Sequence, residues 1–299
     1  MFEGCTLEHI DVGPVVLRVR HGGAGPAVVL LHGHPCTHAT WHEVAVALAD
    51  QFTVVCPDLR GYGGSGVPAD QPEHAQMSKK AMAGDVVSLM HRLGHRRFAV
   101  VGHDRGALVG FRLALDHPEA VSHLVNIGGP PAYDALRLAD ERFARKWWHW
   151  FFLGQTEKPA EEFINRDPDA WYGGKPDHCA DEVFSEYRTA RHDPRVVHAM
   201  CEDYRAGLTA DRRDDEADKA AGRKINCPIL VVWGKHDDLP DLYGDPAEPW
   251  HDWATDVHSR ELDAGHHVQE ERSAELTETL KFFLQETARR GMLAHPTDH

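Results

Sequence analysis

No stretch of the 299-residue chain holds about 18 consecutive apolar residues, so the sequence offers no helix suited to crossing a bilayer. Positive charge is short as well: 32 Lys and Arg stand against 47 Asp and Glu, a formal net charge of -15. That deficit opposes non-specific binding to nucleic acid, which needs clustered Lys and Arg to neutralise phosphates. It says less about a small substrate, whose site sets its own local field. Cysteines are few and scattered, and Cys5, Cys36, Cys56, Cys179, Cys201 and Cys227 show no paired spacing. Neither a disulfide framework nor a cysteine zinc site is expected, and the six read as mostly small buried residues. The opening residues, Met-Phe-Glu-Gly-Cys-Thr-Leu-Glu, lack the basic start and apolar run of a secretory signal, so a cytoplasmic protein is expected. Internal repeats and low-complexity tracts are also missing.

Histidine, by contrast, is plentiful, with 23 in all. The run His32, His34, His38, His42 has spacings that a metal could use, but no cysteine or carboxylate ligand pattern accompanies it. The expectation is no metal and no cofactor.

Residues 100 to 106 read Val-Val-Gly-His-Asp-Arg-Gly and run on into a helical pattern from Ala107 to Leu115. This is the layout of a nucleophile elbow, in which the central residue stands on a sharp strand-to-helix turn with small residues two places either side. Gly102 and Gly106 supply that clearance, and the central residue is Asp104. A carboxylate is a poor choice for ordinary acyl transfer and a competent one for displacing a leaving group from saturated carbon. Alone, the pentapeptide also fits a turn that merely packs tightly or binds an anion.

The surrounding chain supplies context. Val- and Leu-rich runs at 14 to 20 and 26 to 31 read as strands, followed by His32-Gly-His-Pro-Cys36 and a helical pattern from Thr40 to Asp50. A strand at 52 to 56 leads into the glycine-rich loop Pro57 to Gly66, then a helix through Met82, Val86, Leu89 and Leu93, then the strand Phe98 to Val101. This rhythm predicts an α/β fold, a mostly parallel eight-stranded sheet with helices on both faces. Ligands on such sheets bind at the C-terminal strand ends, where Gly33, Gly61 and Asp104 fall. After the strand Val121 to Ile127 the alternation stops. Residues 130–222 are helical in pattern and rich in Trp and charge, and the paired Asp214 and Asp215 read there as a solvated edge. The rhythm resumes at Cys227 to Gly234, continues through Val257 to Leu262 and ends in a helix from about Ala274. We therefore expect a core domain of residues 1–129 and 223–299 with an inserted helical cap of residues 130–222.

A nucleophile at Asp104 requires a base, a group to orient that base and an oxyanion hole, each at a strand end. His266, in Leu262-Asp-Ala-Gly-His-His267 after the last strand, is the candidate base, with His267 as rival. Trp233-Gly-Lys-His-Asp-Asp238 offers Asp237 as the orienting acid, with Asp238 second. Backbone donors for the hole are expected from His34 and Arg105. Asp58 and Arg60, in a Gly-rich setting, read as loop structure.

With these motifs, His-Gly-x-Pro at 32 to 35, Asp58-Leu-Arg-Gly-Tyr-Gly-Gly-Ser65, Trp148-His149-Trp150 and Asp203-Tyr204-Arg205-Ala206-Gly207, the chain resembles the α/β-hydrolase superfamily. Within it, the resemblance is to the Asp-nucleophile branch and specifically the fluoroacetate (haloacetate) dehalogenases, with epoxide hydrolases next. The resemblance implies that Arg105 grips a substrate carboxylate, while His149, Trp150 and Tyr204 hold the departing halide. It also implies cleavage of a carbon–halogen bond in a small α-halo acid through an Asp ester, with water as second reactant, and allows a homodimer. Two positions depart from the family pattern. A second Arg for the carboxylate is replaced by Leu108, and the orienting Asp after the sixth strand corresponds to Asn126, leaving that role to Asp237. Epoxide hydrolysis, or a hydrolase fold kept as a non-catalytic small-molecule receptor, are the other functions considered.

Overall fold

The computed structural model describes residues 1–294. Short β-branched runs bounded by Gly, Pro and Asp form eight strands: β1 (Cys5–Asp11), β2 (Val16–Gly23), β3 (Ala27–Leu31), β4 (Thr53–Pro57), β5 (Phe98–His103), β6 (Val121–Ile127), β7 (Ile229–Gly234) and β8 (Val257–Leu262). They make one sheet in the order β1-β2-β4-β3-β5-β6-β7-β8. β2 pairs antiparallel with β1 and β4, and the remaining pairs are parallel. The sheet is thus the mostly parallel eight-stranded one expected. β1 is an addition, because the sequence reading places its first strand only at residue 14. Its residues are largely exposed at the sheet edge, so no apolar run announces it.

Strand side chains alternate between two cores with the period of a pleated strand. Val29, Leu31, Val100, Leu124 and Val231 face one layer, with α2 (Lys79–Arg92) and α3 (Arg105–Asp116). Val28, Leu30, Val101, Val125 and Val232 face the other, with α1 (His42–Leu48) and the C-terminal helix Ser273–Ala294. Helices therefore cover both faces, and no helix of the described residues is long and apolar enough to cross a membrane. Strand order reverses about β3: the chain steps to β4 on one side and then to β5 on the other. Leu31 pairs with Gly102 in that register, so the loops leaving β3 and β5 emerge side by side. A ligand crevice is expected at such a switch point.

Between β6 and β7 the described chain runs through eight helices: α4 (Ala132–Arg137), α5 (Glu141–Lys146), α6 (His149–Leu153), α7 (Glu161–Ile164), α8 (Pro168–Tyr172), α9 (Asp181–Arg191), α10 (Pro194–Ala206) and α11 (Arg212–Ala220). This insertion holds an aromatic-rich cluster of its own around Phe143, Trp150, Leu153 and Tyr204. One detail there corrects the sequence reading. Asp215 is not solvated: it is 4% exposed, near Arg112, and burial pushes its carboxyl up to about 8. Asp214 keeps more exposure, so the adjacent pair divides between the inside and the surface. Beyond β7 come α12 (Leu239–Tyr243), α13 (Val268–Glu271) and α14 (Ser273–Ala294).

Asp58 and Arg60 serve loop structure, as expected. Asp58 accepts from the His38 amide and ring (each 2.7 Å) and from the Gly64 amide, while Arg60 pairs with Asp85 of α2. His32 is tied up locally, its Nε2 accepting from the Leu59 amide. The four histidines of the run thus do not converge on one point. The six cysteines are free, four of them buried, with Cys5 and Cys227 half-buried.

Candidate active site

Asp104 sits at the junction of β5 and α3 with φ 51° and ψ −116°, a conformation that costs a non-glycine residue about 1–3 kcal/mol. Its flanks enforce that geometry. A Cβ at Gly102 would strike the Gly106 carbonyl, and one at Gly106 would strike the carbonyls of Leu31 and His32. At Gly33 a Cβ would overlap the Asp104 side chain itself. Gly33→Ala is accordingly expected to lower turnover by about 10²-fold or more, the scale on which misplaced reacting groups are felt. Steady-state rates beside a thermal melt check this, and near-normal activity in a folded variant would refute it.

The Asp104 carboxylate is met by a backbone donor. Its Oδ1 accepts from the His34 amide at 2.7 Å. Arg105 is the first residue of α3, so its amide has no acceptor inside the helix and points with the positive end of the helix dipole. Both expected oxyanion donors therefore flank Asp104.

His266 stands across the same cavity. Its Nδ1 lies 3.0 Å from Asp237 Oδ2, leaving Nε2 as the second ring nitrogen. Burial alone would lower the imidazole; the Asp237 hydrogen bond and charge, with a further contribution from Asp104, outweigh it and push His266 up to about 9. Asp237 is held below its ordinary range: burial raises it, and the His266 contact more than reverses that. Asp238 instead pairs with Lys146 at 2.7 Å. Burial drives His267 down to about 3, and its ring makes no hydrogen bond to Asp237. Asn126 sits in β6 beside Gly102, wholly buried, with neither amide atom partnered among the described residues.

The stability contributed by a raised histidine is fully present below its unfolded value of 6.5 and is lost as pH rises through about 9. Asp237→Asn should therefore be destabilising below pH 6.5 and much less so above pH 9, which denaturant melts at the two ends would show.

The insertion supplies the roof. His149 and Trp150 of α6 and Tyr204 of α10 line a cavity of about 310 Å³ that also touches Asp104, His266 and Leu108. The Tyr204 hydroxyl makes no hydrogen bond among the described residues, and burial holds its phenol well above the ordinary value, so it remains a donor. His149 is lowered by burial and keeps a neutral ring, with one N–H to give. Trp148, the third member of that motif, is 49% exposed.

Arg105 is differently placed. Its guanidinium is buried, stacks 4.3 Å from the Tyr204 ring centre and gives Nε and Nη2 to the Asp203 carboxylate at 3.0 and 2.9 Å. Nη1 has no partner. Asp203 also holds Lys79 and accepts from the Tyr62 hydroxyl, so one carboxylate fastens α10 to α2, α3 and the Gly-rich loop. Asp203 belongs to the motif Asp203-Tyr204-Arg205-Ala206-Gly207, which by itself gives it no role. Its signal was present in the acidic residue directly beside Tyr204, but its partner lies 98 residues away. Lys146 and Trp147, which no sequence motif marks, both line the cavity, Trp147 stacked on Trp150 at 5.5 Å.

Known proteins bear on this arrangement. The family described as alpha/beta hydrolase fold matches residues 26–273. A fluoroacetate dehalogenase of Burkholderia sp is 40% identical, covering 100% of this chain and 99% of that protein. A soluble epoxide hydrolase of Corynebacterium sp. (strain C12) is 32% identical over 87% of this chain and 91% of that one. Among solved structures, a candidate epoxide hydrolase of Pseudomonas aeruginosa superposes with a TM-score of 0.91 at 38% identity, covering 97% and 98% of the two chains. With the eight-stranded sheet and its elbow, these matches establish that the chain is a hydrolase belonging to the alpha/beta-hydrolase fold family.

Proposed function

We propose that this enzyme hydrolyses the carbon–halogen bond of a small α-halo acid through an ester on Asp104. A carboxylate oxygen of Asp104 attacks the α-carbon, the halide leaves with the bonding pair, and His149, Trp150 and Tyr204 donate to it as its charge develops. Water then gives a proton to His266 and attacks the Asp104 carbonyl carbon. The amides of His34 and Arg105 stabilise the tetrahedral oxyanion, and its collapse returns the Asp104 carboxylate and a 2-hydroxy acid.

The observation that carries this reading is the convergence, in one cavity of about 310 Å³, of an elbow carboxylate, a base–acid pair and the neutral donors of the insertion. The likeness to a fluoroacetate dehalogenase points the same way. Arg105 does not line that cavity and its guanidinium is held by Asp203, so the carboxylate grip that the resemblance implies rests on Nη1 alone, which has no partner among the described residues.

A specific feature favours a second reading. Leu108 lines the cavity where a second cation would stand, and Lys146, the lysine on the cavity wall, is neutralised by Asp238 and Asp241. An uncharged epoxide suits such a wall, with Tyr204 donating to the opening alkoxide. Ion-selective measurement of halide from fluoroacetate and chloroacetate, beside diol formation from a small epoxide, separates the two. Halide release is the expected result; diol formation alone would replace the first reading with the second, and tight binding without turnover of either would leave a receptor.

The charge bookkeeping also fixes a pH response. Asp104 is one of the groups that raise His266, and esterification removes its charge, so the base is released just when water must be deprotonated. Ester hydrolysis should rise with pH along a limb centred below about 9. Removing the Asp237 charge should move that limb to lower pH while reducing its plateau, readable from single-turnover rates of Asp237→Asn.

A further inference from the structure

Behind the catalytic pair lies a group of side chains for which the reaction has no use. Cys36, His267 and Glu270 bring a thiol, an imidazole and a carboxylate within 4.8 Å of one another. They come from two elements that meet only in the fold: the loop after β3 that carries His34, and the start of α13. Cys36 is fully buried. His267 Nδ1 is buried without a hydrogen-bond partner among the described residues, an omission that native proteins rarely tolerate. Glu270 is pinned: its Oε1 accepts from the Thr40 hydroxyl at 2.7 Å and the Tyr187 hydroxyl at 2.6 Å. Hydrogen bonds of that kind orient a carboxylate for a metal, and the Cys179 thiol also reaches Glu270, which makes Cys179 the other sulfur that the test must separate. His267 also lines the substrate cavity, which gives an ion a route in.

We propose that Cys36, His267 and Glu270 form a site for a thiophilic divalent cation, Zn²⁺ or Cd²⁺, whose fourth position opens toward the cavity. The mixture of thiolate, imidazole and carboxylate donors suits these ions and not Mg²⁺ or Ca²⁺. Binding replaces the thiol proton of Cys36 with a sulfur–metal bond, the proton leaves to solvent, and no electron is transferred. The loaded cation sits one residue from His266 and on the cavity wall. Turnover falls when it binds and returns on chelation. The sequence reading expects no metal, and its histidine run is not the group used here.

A second cluster, Asp70, His198 and Glu202, is the natural competitor. It has no sulfur, and its atoms are already engaged: His198 Nε2 lies 3.2 Å from Asp70, Gln76 donates to both carboxylates, and Arg205 pairs with Glu202. A sulfur-specific readout therefore tells the two apart.

The test is titration of the full chain with Cd²⁺ and Zn²⁺, followed by calorimetry and by the ultraviolet cadmium–thiolate charge-transfer band. Wild type, Cys36→Ser and Glu270→Gln are compared. Gln at 270 can still accept from Thr40 and Tyr187, and thermal melts of all three report on folding. One equivalent should bind the wild type with a thiolate band. Cys36→Ser should lose the band, and both variants should bind about tenfold or more weakly while metal-free turnover stays the same. Absence of the band in the wild type would overturn the site, even with binding retained, since that places the ion on Asp70, His198 and Glu202. So would an unchanged band and affinity in Cys36→Ser, which would assign the sulfur to another cysteine.

Discussion

Asp104→Asn should abolish turnover, by about 10⁴-fold or more, the scale on which enzymes lose rate when a covalent nucleophile is removed. The carboxamide keeps the shape of the side chain, and its oxygen can still accept from the His34 amide that now meets Oδ1 at 2.7 Å. What it loses is the charge and the electron pair needed to attack saturated carbon. The strained φ of 51° is imposed by Gly33, Gly102 and Gly106 rather than by the carboxylate, so the fold is expected to survive. A second readout guards against a merely damaged site. Asp104 helps raise His266 to about 9, so the asparagine variant should titrate that imidazole at lower pH, by NMR of its ring protons. In the wild type, multiple turnovers in heavy-oxygen water should place label in Asp104, because water attacks the ester at the Asp carbonyl. Retained halide release in Asp104→Asn, or an unlabelled Asp104, would remove the nucleophile assignment and with it the two-step mechanism.

The parts of the site that the sequence reveals are those whose geometry is local or tied to the strand rhythm. Gly102 and Gly106 sit two residues either side of Asp104, so the elbow could be read from five letters. Asp237 and His266 are 29 residues apart, yet each follows the end of a parallel strand, and β7 and β8 are neighbours, so counting strands brings them together. Asp203 obeys no such rule. Its grip on Arg105 depends on where the insertion sets the end of α10 against the start of α3, a matter of packing that no local pattern records. Lys146 escapes notice for the same reason, since its partners Asp238 and Asp241 belong to the segment after β7, Asp238 being 92 residues on. Misreadings elsewhere are also physical. β1 is an exposed edge strand with no apolar alternation, and Asp215 looks like a surface carboxylate until the helix carrying it packs against Arg112. Electrostatic partners, then, are the layer that periodicity cannot supply.

His266→Gln separates the two halves of the reaction, and its expected outcome is a trapped ester. In the proposed mechanism the first step asks nothing of the base: Asp104 attacks, and the halide departs toward His149, Trp150 and Tyr204. Halide should therefore appear in a burst of about one equivalent per enzyme and then stop, the signature of a covalent intermediate whose breakdown has been blocked. Intact-protein mass spectrometry should find the chain heavier by the substrate less its halogen, and peptide mapping should place the addition on Asp104. The glutamine removes the imidazole whose Nδ1 contacts Asp237 at 3.0 Å and leaves that largely enclosed carboxylate without its partner. Some destabilisation is thus expected, greatest where the wild-type pair is charged, below pH 6.5. His267→Gln provides the contrast. Burial lowers its ring to about 3 and so keeps it neutral, and Asp237 bonds to His266 instead, so this variant should turn over many times and show no adduct. A burst in His267→Gln with steady turnover in His266→Gln would exchange the two histidines. Because the trapped species also reports what was attached, its mass distinguishes the readings of the substrate: a haloacid leaves a carboxymethyl-type ester, whereas an epoxide leaves a hydroxyalkyl ester with no halide released.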